Sequence, residues 1–110
     1  MPRPSAFARI RSEVLAVVAA IPEGRVTTYG AIGRHLGVPA RHVARALASF
    51  TAEESRRLPW FRVVAANGIV STAKLGAVGR RQVARLRAEG VAVTPRNQVA
   101  DFDAVFWPPG

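Results

Sequence analysis

Two helical stretches meet at Gly37-Val38-Pro39, and a three-residue joint leaves helices few ways to pack. Thr28 suits the cap of the first, predicted over residues 29–36, because its hydroxyl accepts from a free N–H of the opening turn. Gly37 stops that helix, since glycine takes the left-handed conformation at no steric cost. Pro39 suits the first turn of the second helix, predicted to reach about Phe50, where its missing N–H would have had no partner. The outcome is a helix-turn-helix over about residues 28–50. On its second helix Val43, Leu47 and Phe50 share one face and are predicted core. Arg41, Ala44, Arg45 and Ala48 follow the i, i+3, i+4, i+7 spacing on the opposite face. Two arginines alternating with two alanines make a cationic surface with nothing bulky on it, fit for close approach to a phosphate backbone or a narrow groove.

The flanking elements follow from local signals. Ser5 precedes Phe7, Ile10, Val14, Val17, Val18 and Ile21, whose helical recurrence predicts a helix over residues 6–20, ended at Pro22-Glu23-Gly24. Val26-Thr27 reads as a short extended piece and Thr51 to Leu58 as a polar loop. Asn67-Gly68 between the apolar segments 61–64 and 69–71 predicts a β-hairpin, the wing, at about 61–71. Residues 77–89 read as a helix with Val83 and Leu86 inward, Arg80, Arg81, Arg85 and Arg87 outward, and Gly90 as its stop. Val91 to Val93 suggests a further short strand, and the aromatic tail at about 98–110 is expected to fold back on the core. The fold class is mainly α with a small β-hairpin, a winged helix-turn-helix in a single domain over residues 1–110.

Charge points to the partner. Lys+Arg number 16 against 7 Asp+Glu, a net +9, and the excess sits in residues 34–100. Such an imbalance on one small domain suggests a polyanion, most often nucleic acid. The sequence has no cysteine and two histidines, which removes disulfides, thiol nucleophiles and an all-protein zinc site; neither metal nor cofactor is expected. The longest apolar run, Val14 to Ile21, is far short of the ~20 residues that span a bilayer. A cytoplasmic, nucleoid-associated monomer without membrane contact is expected.

Four motifs carry a resemblance: Ile21-Pro22-Glu23-Gly24-Arg25-Val26-Thr27-Thr28-Tyr29-Gly30, Ala40-Arg41-His42-Val43-Ala44-Arg45-Ala46-Leu47, Pro59-Trp60-Phe61-Arg62-Val63-Val64 and Arg87-Ala88-Glu89-Gly90. In this order over residues 21–90 they resemble the DNA-binding domain of O6-alkylguanine-DNA alkyltransferases. Those enzymes carry Pro-Cys-His-Arg where this chain has Pro59-Trp60-Phe61-Arg62, and replacement of the acceptor cysteine by tryptophan is the mark of the alkyltransferase-like proteins. Glu89 matches the glutamate that orients the histidine base in the enzymes. The resemblance implies that Tyr29 presses on a phosphate to rotate the nucleotide outward, and that Arg41, or failing it Arg45, fills the gap left in the stack. Ala44 and Ala48 would let the helix lie in the minor groove. It further implies an alkylguanine pocket built from Tyr29, Pro59, Trp60, Val63, Ser71 and Lys74, with Lys74 standing in for a lid cation absent at Ala73.

The function implied is a non-enzymatic sensor that binds O6-alkylguanine in double-stranded DNA, flips it out and marks it for nucleotide excision repair. The alternative is a winged-helix transcriptional regulator without lesion specificity, whose recognition helix should carry Asn, Gln or Arg for base edges. An enzyme with another nucleophile would need an activated Asp, Lys or water, for which Glu89 alone is thin support.

Overall fold

Helix α1, Ala6–Ala20, starts where the Ser5 hydroxyl accepts from the Ala8 N–H at 3.0 Å. These contacts come from a computed structural model, which describes residues 5–110. Thr28 caps α2, Tyr29–Leu36, in the same manner, accepting from the Ala31 N–H at 2.9 Å. Gly37 ends α2 at φ 73°, and the Val38 N–H closes the turn on the Gly33 carbonyl at 2.9 Å. Helix α3, Ala40–Ala48, then begins one residue later than expected. Pro39 is its N-cap and not part of its first turn, because a ψ of 147° keeps the proline extended. Ser49 closes α3, so Phe50 lies just beyond it.

Between Thr51 and Leu58 the structure corrects the sequence reading. The expected polar loop is a helix, α4, Ala52–Arg57, started by a capping box: Thr51 Oγ1 accepts from the Glu54 N–H at 3.1 Å, and the Glu54 carboxylate accepts from the Thr51 N–H at 2.8 Å. Arg11 of α1 donates to the Glu54 carboxylate and, at 2.9 Å, to Ser49 Oγ. The Arg11 hydrogen bond, with the Thr51 N–H behind it, holds the Glu54 carboxyl below its usual range. Thr51→Ala is expected to lower stability by about 1 kcal/mol, read as a shifted urea midpoint at unchanged slope. An unchanged midpoint would contradict a stabilising role for the cap.

The expected hairpin is reduced to its turn. Asn67 and Gly68 take φ values of 62° and 84°, and the Ala65 N–H meets the Ile69 carbonyl at 2.8 Å. The ladder itself is missing because both flanks are engaged elsewhere. Strand β1, Thr27–Thr28, pairs in parallel with β2, Val63–Val64, Thr27 opposite Val63 and Thr28 opposite Val64. Beyond the turn the Gly68 carbonyl accepts from the Val99 N–H at 2.8 Å, and Ile69 bridges to Gln98. Trp60–Arg62 is a 3-10 turn and Ser71–Leu75 another. Val91 to Val93 contributes a single bridge, Val93 to Val99.

The two-residue β2 sorts the interior. Successive strand residues face opposite ways, so Val63 joins the core of Val14, Val18, Ile32 and Val43, while Val64 joins Phe61, Leu86 and Val91. Helix α5, Ala77–Ala88, closes the second core with Leu86 and exposes Arg80, Arg81, Arg85 and Arg87. The tail does fold back: after α6, Phe102–Val105, the Trp107 N–H donates to the Val26 carbonyl at 2.7 Å and its ring packs on the first core. The helix-turn-helix and the Trp60 turn are thereby bound to one β ladder.

Candidate nucleic-acid interface

A cavity of about 1220 Å3 opens beside α3. Tyr29, at the head of α2, forms one wall; Ala44 and Ala48 of α3, with Leu47 and Phe50, form the next. Trp60, Val63, Ser71 and Lys74 line it as well. Pro59, expected in the pocket, is not among the residues lining this cavity; it opens the 3-10 turn at φ −80°, ψ 56°, directly before Trp60, which does line it. The Ala73 side chain lies outside the described residues.

The two candidate arginines differ. Both are exposed on α3, but the Arg45 guanidinium carbon lies 4.1 Å from the centroid of the Phe7 ring on α1. Arg41 makes no hydrogen bond, ion pair or ring contact among the described residues. One is seated on the protein and the other projects from it.

Residues that no motif placed in the site also line the cavity, among them Arg56 of α4 and Arg81, Gln82 and Arg85 of α5. Gln82 is 1 % exposed. Its amide nitrogen donates to the Phe61 and Val63 carbonyls at 3.1 and 2.9 Å, and its oxygen accepts from the Thr72 hydroxyl. One buried amide thus ties the Trp60 turn to the Ser71–Leu75 turn. Its signal was spacing: Gln82 falls four residues before the inward Leu86, where an apolar residue would be expected.

Arg62 and Glu89 form the polar anchor behind Trp60. Arg62 Nε lies 2.9 and 3.1 Å from the two Glu89 oxygens, and its Nη1 donates to the Ile21 carbonyl at 2.7 Å. Glu89 also accepts from the Gly24 N–H at 3.1 Å. Burial pushes the Glu89 carboxyl up, yet the Arg62 and Gly24 hydrogen bonds and the charges of Arg62 and Arg85 outweigh it, leaving the pKa below 4.5. A carboxyl depressed in the folded state stabilises above its ordinary pKa, and that contribution fades as pH falls through the folded value. Glu89→Gln is therefore expected to cost roughly 2 kcal/mol at pH 7 and to flatten the acid limb below about pH 4.5 in thermal unfolding. Parallel acid limbs for the two proteins would contradict this.

Residues 9–91 match the family model described as 6-O-methylguanine DNA methyltransferase, DNA binding domain. The chain belongs to this family. Tyr29, the Arg/Ala face of α3 and Trp60 all fall inside the methyltransferase DNA-binding-domain match. Among relatives of the family, the DNA base-flipping protein of Vibrio parahaemolyticus is 40 % identical over 93 residues, 80 % of this chain and 86 % of that protein. Alkyltransferase-like protein 1 of Schizosaccharomyces pombe is 38 % identical over 84 residues, 74 % of this chain and 76 % of that one. A crystal structure of the S. pombe alkyltransferase-like protein in complex with damaged DNA containing O6-carboxymethylguanine superposes with a TM-score of 0.77 at 33 % identity, covering 92 % of this chain and 96 % of that chain. The O6-methylguanine methyltransferase of Mycobacterium tuberculosis gives a TM-score of 0.60 at 25 % identity, over 93 % of this chain and 56 % of that chain. The family's domain here is mostly helical around the small parallel ladder, and no helix among the described residues is long and apolar enough to cross a membrane.

Proposed function

We propose that this domain is a non-enzymatic reader of O6-alkylguanine in duplex DNA. The observation that carries the reading is the shared cavity: the head of α2, the small-residue face of α3 and the Trp60 turn open into one space. A flipped base leaving the duplex beside α3 would enter it directly. The relatives named for base flipping and the S. pombe complex with damaged DNA support the same reading.

In this mechanism α3 lies in the minor groove, with Ala44 and Ala48 allowing close approach, and Tyr29 bears on the phosphate next to the lesion. Arg41 takes the vacancy in the stack, because it projects free of the described residues while Arg45 is seated on Phe7. Trp60 packs against the extruded base. Unstacking costs roughly a few kcal/mol and aromatic stacking returns about 1–3 kcal/mol, so phosphate contacts supply much of the net affinity. Arg41→Ala is expected to weaken lesion binding about tenfold and Arg45→Ala by less, in titrations on one O6-methylguanine duplex. Equal losses would refute Arg41 as the finger.

Alkyl transfer requires a thiolate and a base to generate it. The sequence has no cysteine, Trp60 and Phe61 stand at the positions matching acceptor and base, and Glu89 is held by Arg62. The bound lesion is instead left for another pathway, nucleotide excision repair, with the domain acting as a cytoplasmic monomer. Incubation with a duplex labelled in its O6-methyl group tests this: all label should remain on the DNA, and label on the protein or released to solution would overturn it.

A further inference from the structure

The Ser71–Leu75 turn is mounted differently from the α2 and α3 walls of the cavity. Those helices are seated on the first core, and the Trp60 turn runs straight into the β1–β2 ladder. The Ser71–Leu75 turn brings Ser71, Thr72 and Lys74 to the cavity, yet Ser71 and Lys74 are exposed. Among the described residues one hydrogen bond ties this turn to another element, from the Thr72 hydroxyl to the Gln82 side-chain oxygen. The orientation of that amide is forced by its surroundings. Its nitrogen carries two hydrogens and faces two carbonyls, Phe61 at 3.1 Å and Val63 at 2.9 Å, and a carbonyl can only accept. The oxygen is thereby turned to Thr72, whose hydroxyl can donate. A buried amide left half-satisfied is costly, so the pairing with Thr72 is favoured over an open turn.

We propose that Gln82 is a positioning residue for lesion reading: through Thr72 it holds the Ser71–Leu75 turn at a set distance from Trp60, so that an extruded base is enclosed on both sides. The proposal rests on the domain being an O6-alkylguanine reader and adds the part that sets the width of its pocket. Gln82 and Thr72 both line the cavity and neither belongs to α3. The step they govern is therefore retention of the extruded base, not docking on the groove. With the Thr72 hydroxyl removed, the turn is free to move outward and the base loses contacts on one face. Association, driven by phosphates that every duplex carries, stays as it was.

The test measures affinity and dissociation rate on two duplexes of one sequence, carrying O6-methylguanine or guanine, for wild type, Thr72→Val, Thr72→Ser and Gln82→Met. Valine keeps the branched shape of threonine and lacks the hydroxyl, whereas serine keeps the hydroxyl. Thr72→Val is expected to lower the ratio of methylated to unmodified affinity about fivefold, through faster dissociation of the methylated duplex. Thr72→Ser should stay within about twofold of wild type, and Gln82→Met should fall at least as far as Thr72→Val. A merely structural role would lower the folded fraction, which scales both affinities alike and leaves the ratio and the dissociation rate unchanged. Retention of the wild-type ratio by Thr72→Val, or an equal loss in Thr72→Ser, overturns the proposal, and so does a folded Gln82→Met with the wild-type ratio. Should Gln82→Met not fold, the Thr72 pair decides alone. A wild-type protein that binds both duplexes equally is a separate result, which defeats the underlying reading and this proposal with it.

Discussion

Gly33→Ala is expected to destabilise the domain by about 3 kcal/mol, a fall in Tm of roughly 12 °C for a chain of this size. Helix propensity alone predicts the opposite, a gain of up to about 1 kcal/mol for alanine in a helix interior. Sterics decide the sign. A Cβ on Gly33 would sit 2.5 Å from the Val38 carbonyl oxygen and 3.3 Å from the Ala40 nitrogen. Both neighbours are backbone of the turn that sets α3 against α2, so the clash is relieved only by moving the recognition helix. Gly37→Ala makes the control: its φ is 73°, but open space surrounds the new methyl, so about 1 kcal/mol of backbone strain is all that is expected. Thermal unfolding of both variants should rank Gly33→Ala as the worse. The reverse ranking would contradict the close approach of the two helices.

Trp60→Ala is expected to reduce affinity for an O6-methylguanine duplex by about 1–3 kcal/mol, roughly 5- to 150-fold, while changing affinity for the unmodified duplex little. The asymmetry is the informative part. Trp60 is half-buried and lines the cavity, so it touches a base only after extrusion, whereas phosphate contacts are the same on both duplexes. Titrations of wild type and variant on the two duplexes separate these terms. An equal loss on both would make Trp60 a packing residue of the second core, and no loss on either would remove it from the site.

Local signals carried the helices and failed at long-range pairings, for reasons that individual residues show. Ser5, Thr28 and Gly37 act through atoms within a few positions of themselves, so their caps and stops were legible. Helix α4 was equally local: Thr51 and Glu54 have capping-box spacing, but the polar run Ala52–Arg57 buries no residue and so shows no apolar period. Asn67-Gly68 encoded its turn, yet partners for its flanks are chosen by tertiary packing. Val63 and Val64 pair with Thr27 and Thr28, far back in the chain, and Gly68 is taken by Val99. The site divides in the same way. Of the residues lining the cavity, Tyr29, Ala44, Ala48 and Trp60 carry their signal in motifs and helical spacing. Arg85 over Phe61 and Gln82 beneath the Trp60 turn join residues distant in sequence, and no pattern within either segment announces the contact.

Lesion preference separates a damage reader from a basic helix-turn-helix that only binds DNA. Its most direct test is equilibrium binding of the unaltered protein to two duplexes that differ only in one O6-methyl group, at two salt concentrations. The cavity and the flipping mechanism predict at least roughly tenfold tighter binding of the methylated duplex, with both affinities falling along parallel salt slopes because the phosphate contacts are shared. Equal affinity for the two duplexes at both salt concentrations would contradict it, leaving a basic helix-turn-helix that binds DNA without reading the base.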